Sequence, residues 1–411
     1  MAVSPPQTLW DVREAPPHAF RPLLRQVTQA GADLVFRRVP VEIDATTPPE
    51  FAIAMRQLFL VHGVGPLLGL RVETGEQIGD AACSGWLRDE LNFNRLRLGR
   101  VRQRLDTLLA CCARAGIEAI PLKGGALLLE GVEALAWRTI GDIDLLVKGG
   151  STRDWDLAVA HAGYCFMRTC WKHREYSYCE EQPWSPDVLD GSRDYPISLE
   201  LHPAVVEFFR GARWDITQIV RSGLVNRGGV CVPGDLAMAL HLAVHASVSM
   251  LEGHGRMIHI VDLDRALQRV SADAFLRAMR PGPLRHTARF VYPAVTLVAR
   301  ETGNGVAAEI STALRGDVAP GMATWANSVT LYDVSYLGRF DRRPLDRAAL
   351  WAVAPGDRAR MLAATAAPSP AVLASQQYEG EGLAALARWY PRYYGGLLRR
   401  VWEHVRGTTS D

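Results

Sequence analysis

Residues 117–147 constrain the chain more tightly than any other stretch, because the apolar pattern there changes period on either side of a glycine pair. Ile117–Leu122 (IEAIPL) is short, apolar and strand-like, Gly124-Gly125 follows at once, and Ala126–Leu129 reads as an apolar helix. Asp142–Val147 (DIDLLV) then reads as a second strand. Strand side chains alternate faces, so Asp142 and Asp144 project together while Ile143, Leu145 and Val147 pack behind them. Two carboxylates on one face repel unless a cation lies between them. Hard oxygen ligands, with the remaining positions left to water and substrate phosphates, are what a Mg²⁺ site uses. Two glycines at a strand-to-helix junction let the backbone approach a phosphate, and the helix N-terminus presents free N–H groups. Lys123, directly before them, adds a compact positive charge.

A lone Asp-x-Asp is common at solvated strand ends, and a bare Gly-Gly is commonly a tight turn. Strand, Gly-Gly, helix and then an acid-pair strand is more specific, since each piece has a task in binding a metal–nucleotide complex. A third carboxylate would complete a two-metal clamp. In Ser198–His202 (SLELH), Glu200 and His202 share one strand face and Leu199 and Leu201 the other, which makes Glu200 the candidate.

Around this core the patterns are helical. Phe51–Leu70 has apolar residues at helical spacing up to a Gly/Pro break. In Trp86–Ala115 a stripe of Leu87, Leu91, Leu96, Leu98, Val101, Leu105, Leu108 and Leu109 opposes Arg, Asp and Gln, and Gly116 is a plausible C-terminal cap. Trp155–Ala162 reads as a helix, and Gly163–Thr169 and Tyr195–His202 as strands with an irregular loop between them. After residue 211 the patterns are helical again, clearest in Leu236–Leu251 and Ile258–Val270. The expected fold is α+β: a helical region over 1–115, a small mixed-sheet core over 116–210, and a helical region over 211–411.

The run L-K-G-G-A-L-L, then R-T-I-G-D-I-D-L-L-V, with a later E-L-H, resembles the uncharacterised nucleotidyltransferase family of the polymerase-beta superfamily. The segments P-G-D-L-A-M-A-L-H-L-A-V-H and R-R-P-L-D-R-A-A-L-W-A-V resemble that branch's helical tail. The resemblance implies that Gly124 and Gly125 form the turn cradling a triphosphate. It likewise makes Asp142 and Asp144 the acid pair and Glu200 the third acid, which together hold two Mg²⁺ ions. Lys123 and Arg138 match basic positions, where Arg138 could stabilise charge developing on the phosphates. The third acid is Glu where the superfamily usually has Asp. The implied activity is transfer of an NMP from an NTP such as ATP to a hydroxyl or amine on a small molecule, peptide or protein, with pyrophosphate release and Glu200 orienting or deprotonating the acceptor. The alternative is an inactive nucleotide-binding or scaffold protein that keeps the fold.

Composition excludes other classes. With 46 basic against 44 acidic residues the formal charge is +2, which argues against a broad basic face for long nucleic acid. Only Lys123, Lys148 and Lys172 are lysines, the other bases being arginine. No uncharged apolar run reaches the roughly 18–20 residues that span a bilayer, and the first residues do not pattern as a secretory leader. Seven cysteines, with Cys111 and Cys112 adjacent, suggest free thiols in a reducing cytoplasm. His241 and His245 lie four apart on a helix, but Leu242 stands where a zincin needs its general-base Glu, so packed histidines fit better, the alternative being that His245, which resembles a position in that branch's helical tail, lines the cleft. Cys165, Cys170, His173 and Cys179 match no tight zinc knuckle. Gly303-x-Gly305-x-x-Ala308 imitates a dinucleotide fingerprint without the preceding strand. The aromatic and arginine residues Trp389, Tyr390, Tyr393, Tyr394, Arg399, Arg400 and Trp402 read as an amphipathic packing helix.

Overall fold

The computed structural model describes residues 18–41, 47–170, 172–180, 196–209, 212–279, 284–338 and 356–368, together with 350, 352, 389–396 and 398. It begins with α1 (Arg21–Ala32), α2 (Pro49–His62) and α3 (Gly65–Glu73). The Gly/Pro break read within Phe51–Leu70 is thus the junction of α2 and α3, which meet at 108°. Gly63 causes the break: it caps α2 at φ +68°, a conformation that costs any residue with a Cβ.

Next comes α4 (Ala81–Arg114), 34 residues long, started by the Asp80 side chain accepting from Cys83 N at 2.7 Å and ended, as expected, at Gly116, whose φ is +68°. One member of its predicted stripe is misplaced. Leu96 is 68% exposed, whereas Asn94 and Arg97 point inward and are buried. Positions 94, 98, 101, 105 and 108 follow the helical period on the buried face and 96 does not. Their donors reach into a neighbouring loop: Asn94 Nδ2 donates to the carbonyls of Ala136 (2.7 Å) and Arg138 (2.9 Å), and Arg97 Nε to that of Ile140 (2.9 Å), while Asn94 Oδ1 is buried without a hydrogen-bond partner. The helix therefore clamps the loop that feeds the acid strand.

The core follows as β1 (Glu118–Pro121), α5 (Lys123–Leu128), β2 (Asp142–Lys148), α6 (Thr152–His161), β3 (Tyr164–Thr169), β4 (Arg174–Tyr178) and β5 (Ser198–His202). These strands make one five-stranded sheet ordered β1-β2-β5-β4-β3, in which β2 and β5 run parallel and the other neighbours antiparallel. β4 lies in the stretch expected to be an irregular loop. It pairs on both sides, so ladder hydrogen bonds compensate for its polar sequence.

Two hairpins precede the C-terminal helices: β6 (Val206–Phe209) with β7 (Ala212–Asp215), and, after α7 (Thr217–Ser222), β8 (Leu224–Arg227) with β9 (Val230–Pro233), so that β7, β8 and β9 stand where helix alone was expected. Then come α8 (Asp235–Glu252) and α9 (Met257–Leu267), followed by further helices that include Tyr292–Thr302 and Gly305–Leu314. Gly303 caps the first of those two and Gly305 opens the second, so the fingerprint-like motif sits at a helix–helix junction. Trp389 is buried and Tyr390 stacks on Tyr394 at 6.1 Å, while Arg399, Arg400 and Trp402 lie outside the described residues. Among the described residues no single helix is long and apolar enough to cross a membrane.

The sheet separates two apolar cores. Ile143, Leu145, Val147, Leu199 and Leu201 pack on Leu98, Val101, Leu105 and Leu108 of α4 and on Ala158 and Val159 of α6. Ile120, Leu122 and Leu146 join the larger helical core with Ala239, Leu240 and Ala243 of α8. Burial of these side chains, at roughly 1.5–3 kcal/mol each, fixes which way β2 faces. The alternate residues Asp142 and Asp144 are thereby turned toward α8 and α9.

The cysteine expectation is corrected in part. Cys165 and Cys179, at the β3–β4 edge, form a disulfide, while Cys83, Cys111, Cys112, Cys170 and Cys231 are free. Antiparallel pairing of Tyr164 with Tyr178 places the two cysteines beside each other, a proximity that a count of cysteines does not reveal.

Candidate active site

Parallel pairing sets Asp142 opposite Ser198, Asp144 opposite Glu200 and Leu146 opposite His202. Because the period is two on both strands, Asp142, Asp144, Glu200 and His202 share one face. The three carboxylates each bring an oxygen within 4.8 Å of the others. Asp142 opens its strand half-buried, and Asp144, one step deeper, is 2% exposed. Around Asp144 Oδ1 lie Lys123 Nζ at 2.9 Å and His202 Nε2 at 3.0 Å. Glu200 Oε2 is 3.2 Å from His202 Nε2 and 3.3 Å from His173 Nδ1.

These neighbours decide the charges. Burial alone would raise the Asp144 carboxyl, but the Lys123 ammonium and His202 outweigh it and hold it well below the usual carboxylate range. Burial opposes ionisation of Glu200 as well, yet its His202 hydrogen bond and His173 bring it down to about 2. Lys123 is pushed down by burial and up by Asp144, Asp142 and Glu200, with a net shift above its ordinary value. His202 is likewise raised by Asp144 and Glu200 against burial, whereas burial lowers His173 to about 4. Asp144 and Glu200 are therefore ionised at neutral pH.

Lys123 opens α5 at φ +44°, a left-handed conformation that costs a residue with a Cβ roughly 1–2 kcal/mol. Its ion pair to Asp144, together with the Leu122 N–H donating to the Asp144 carbonyl at 3.0 Å, ties the strand–helix junction to the acid strand. Gly124 and Gly125 follow, both buried. A Cβ on Gly124 would fall inside contact distance of Arg138 Nη1 and 3.1 Å from Ile140 Cγ1. A Cβ on Gly125 would meet nothing closer than Pro121 Cβ at 3.8 Å. Arg138 is held in place, its Nε donating to both oxygens of buried Asp262 (3.0 and 2.9 Å) and its Nη1 to the Thr139 carbonyl (2.9 Å).

All seven residues singled out in the sequence lie in this region, and Lys123, Gly124, Arg138, Asp142 and Asp144 line a cleft of about 270 Å³. Glu200 meets the acid pair at its inner end and Gly125 sits one residue behind the rim. Apart from His245, the opposite wall was not foreseen. It is built by Lys172, Glu207, Glu252, His254, Arg256, His259 and Tyr336, together with His245. Lys172 Nζ lies 3.4 Å from Glu207 Oε1, and the His245 and His259 rings meet edge to face at 5.1 Å. One signal for this wall was legible: Lys172 is another of the three lysines, so two of the three face the cleft.

His241 and His245 diverge. His245 lines the cleft, while His241 is buried with no hydrogen-bond partner at Nδ1, and among the described residues neither belongs to a potential metal cluster. The Cys165–Cys179 bond removes two members of the cysteine–histidine quartet from any zinc site.

Residues 54–300 match the family described as uncharacterised nucleotidyltransferase, a span that takes in the whole five-stranded sheet, the Gly-Gly turn, both acid strands and helices α8 and α9. No curated protein and no solved structure matches the chain. With more than half its length inside that match, the chain belongs to the uncharacterised nucleotidyltransferase family.

Proposed function

We propose that the protein is a Mg²⁺-dependent nucleotidyltransferase that moves an NMP from an NTP to a hydroxyl or amine acceptor and releases pyrophosphate. The observation that carries this reading is the convergence of Asp142, Asp144 and Glu200 within 4.8 Å on one sheet face beside the Lys123-Gly124-Gly125 junction. The donor set suits the ion: oxygen ligands kept anionic at neutral pH, at the open start of a strand. Asp142 and Asp144 would hold Mg²⁺, with Glu200 completing the set. When bound, the ion supplies positive charge at the phosphates undergoing transfer.

The chain's own residues do the rest. Gly124 and Gly125 bring backbone close to the triphosphate, and Lys123 and Arg138 present fixed positive charge to it. The salt bridge to Asp262 and the hydrogen bond to the Thr139 carbonyl set the Arg138 guanidinium before substrate arrives. Glu200, at about 2, is too acidic to retain a proton at neutral pH and so orients the acceptor. The acceptor oxygen or nitrogen bonds to the α-phosphorus, and the bond from that phosphorus to the bridging oxygen breaks. The bridging oxygen keeps the electron pair in pyrophosphate, and the acceptor's proton goes to water.

The test is Mg²⁺-dependent pyrophosphate release from ATP, GTP, CTP and UTP, with and without a pool of small-molecule and peptide acceptors. Release that depends on Mg²⁺ and is lost in Asp142→Ala supports the reading. NTP binding without release under any condition would instead favour the inactive nucleotide-binding protein.

A further inference from the structure

Glu200 belongs to two sets of donors. On one side it joins Asp142 and Asp144; on the other it joins His173 and His202, and each member of this second set also brings a ligand atom within 4.8 Å of the others. The second set differs in kind, having two imidazoles and one carboxylate. Both histidines are buried, His173 at 8% exposure. His173 precedes β4, its carbonyl accepts from the Cys170 N–H at 2.8 Å, and its ring meets that of His202 edge to face at 5.1 Å.

Two observations mark this set as a ligand shell. His173 Nδ1 has no hydrogen-bond partner, although Glu200 Oε2 lies 3.3 Å away. A buried polar atom left in that state costs about 1–3 kcal/mol. His202 Nε2 faces two carboxylate oxygens at once, Asp144 Oδ1 at 3.0 Å and Glu200 Oε2 at 3.2 Å, with a single nitrogen to satisfy both. Four ligands at the roughly 2.0–2.2 Å bond lengths of a tetrahedral zinc site stand about 3.3–3.6 Å apart. The 3.3 Å separation meets the short end of that spacing and the 3.2 Å one lies just below it. Imidazole donors select against Mg²⁺ and for borderline ions such as Zn²⁺.

We propose that His173, Glu200 and His202 form a site for a divalent transition-metal ion of the zinc type, beside the Asp142–Asp144 pair and sharing Glu200 with it. The claim goes beyond nucleotide transfer and does not rest on it. Cys170, His173 and Glu175 form a competing group, but Glu175 Oε2 is already engaged by Arg168 Nε at 2.5 Å. The Glu200 group is therefore the better shell.

The test uses the full chain stripped with a chelator and exposed to Zn²⁺ or Co²⁺ alone in millimolar Mg²⁺, without nucleotide. The expected result is about one tightly bound ion per chain, visible Co²⁺ bands of four- or five-coordinate strength, and an X-ray absorption shell containing imidazole. His173→Ala and His202→Ala should each weaken Co²⁺ binding by at least about tenfold, the smallest loss expected when even a supporting group of a metal site is removed. Asp142→Asn should leave it nearly unchanged. Should either histidine variant fail to fold, the absorption spectrum of the unaltered protein decides. No stoichiometric ion, a shell without imidazole, or a thiolate charge-transfer band that places the ion on Cys170 overturns the assignment. Because no nucleotide is present, its failure is distinct from a failure of pyrophosphate release.

Discussion

Alanine at each of the two glycines of the turn should give opposite results, though both residues are buried in the same short helix. Removing a glycine from a helix stabilises by roughly 0.5–1 kcal/mol when the new methyl has room. Gly125→Ala has it, with the nearest atoms at ordinary contact distance. Gly124→Ala does not, because the methyl must displace the Arg138 guanidinium. That group is pinned by the salt bridge to Asp262, whose side chain is 1% exposed. Moving it leaves a buried carboxylate without its partner, at a cost of about 3–5 kcal/mol. Less the helix gain, Gly124→Ala should lose about 2–4 kcal/mol and Gly125→Ala should gain up to about 1. The pH dependence identifies the cause. Burial already holds the Asp262 carboxyl above its ordinary value, and Arg138 opposes that rise. Without Arg138 the rise grows, so an ionised Asp262 destabilises the fold at pH 7.5 and its protonation relieves the deficit as pH falls toward 5. Urea unfolding followed by fluorescence at both pH values measures the effect. Equal midpoints for the two variants, or a Gly124→Ala deficit that does not shrink at pH 5, would refute the reasoning.

Asp142→Ala removes a half-buried strand-end acid, so its unfolding midpoint should move by less than about 1 kcal/mol while Mg²⁺-dependent pyrophosphate release disappears; retained release would sink the proposed function. Burial, with Arg256 adding for His62, holds His62 and His241 down to about 3, and burial lowers His245 and His259 as well. Unfolding lets each take up a proton near pH 6.5, so stability is full above that pH and falls on acidification from 6.5 toward 3. Each histidine contributes up to about 1.4 kcal/mol per pH unit, and a midpoint that stays flat between pH 7.5 and 5 would contradict their neutral burial. The Cys165–Cys179 bond closes a segment with a sequence separation of 14, worth about 3 kcal/mol in the chain-entropy account. Reductant should lower the unfolding midpoint of the native chain and leave that of the Cys165→Ser/Cys179→Ser variant unchanged.

What the sequence made legible was local. β1, β2, α5 and the phase of β5 follow from alternation and the Gly-Gly pair, and they carry the carboxylates to one face. The Gly228-Gly229 pair between two short apolar runs was also a readable hairpin signal, since both glycines take positive φ there. What escaped depends on partners distant in sequence. β4 is polar and exists because it pairs with β3 and β5. Arg97 is buried because the carbonyl of Ile140 needs a donor, something no helical wheel of α4 contains. The far wall of the cleft draws Lys172, Glu207, His245, Arg256 and Tyr336 from separate segments, so no motif links them.

The parallel seam between β2 and β5 has a consequence for how the molecule comes to work. It joins Asp144 to His202 across 58 residues, a far longer loop closure than the neighbouring β1–β2 pairing requires. Contacts of that separation form late in folding. A chain that has made only the early pairing holds Asp142 and Asp144 on a sheet edge, with Glu200 and both histidines elsewhere. A slip of one residue in the seam would set Leu199 or Leu201 against Asp144 and turn Glu200 into the apolar core. Nucleotide and metal binding would therefore report correct completion of the sheet, and misfolded chains should be silent rather than weakly active.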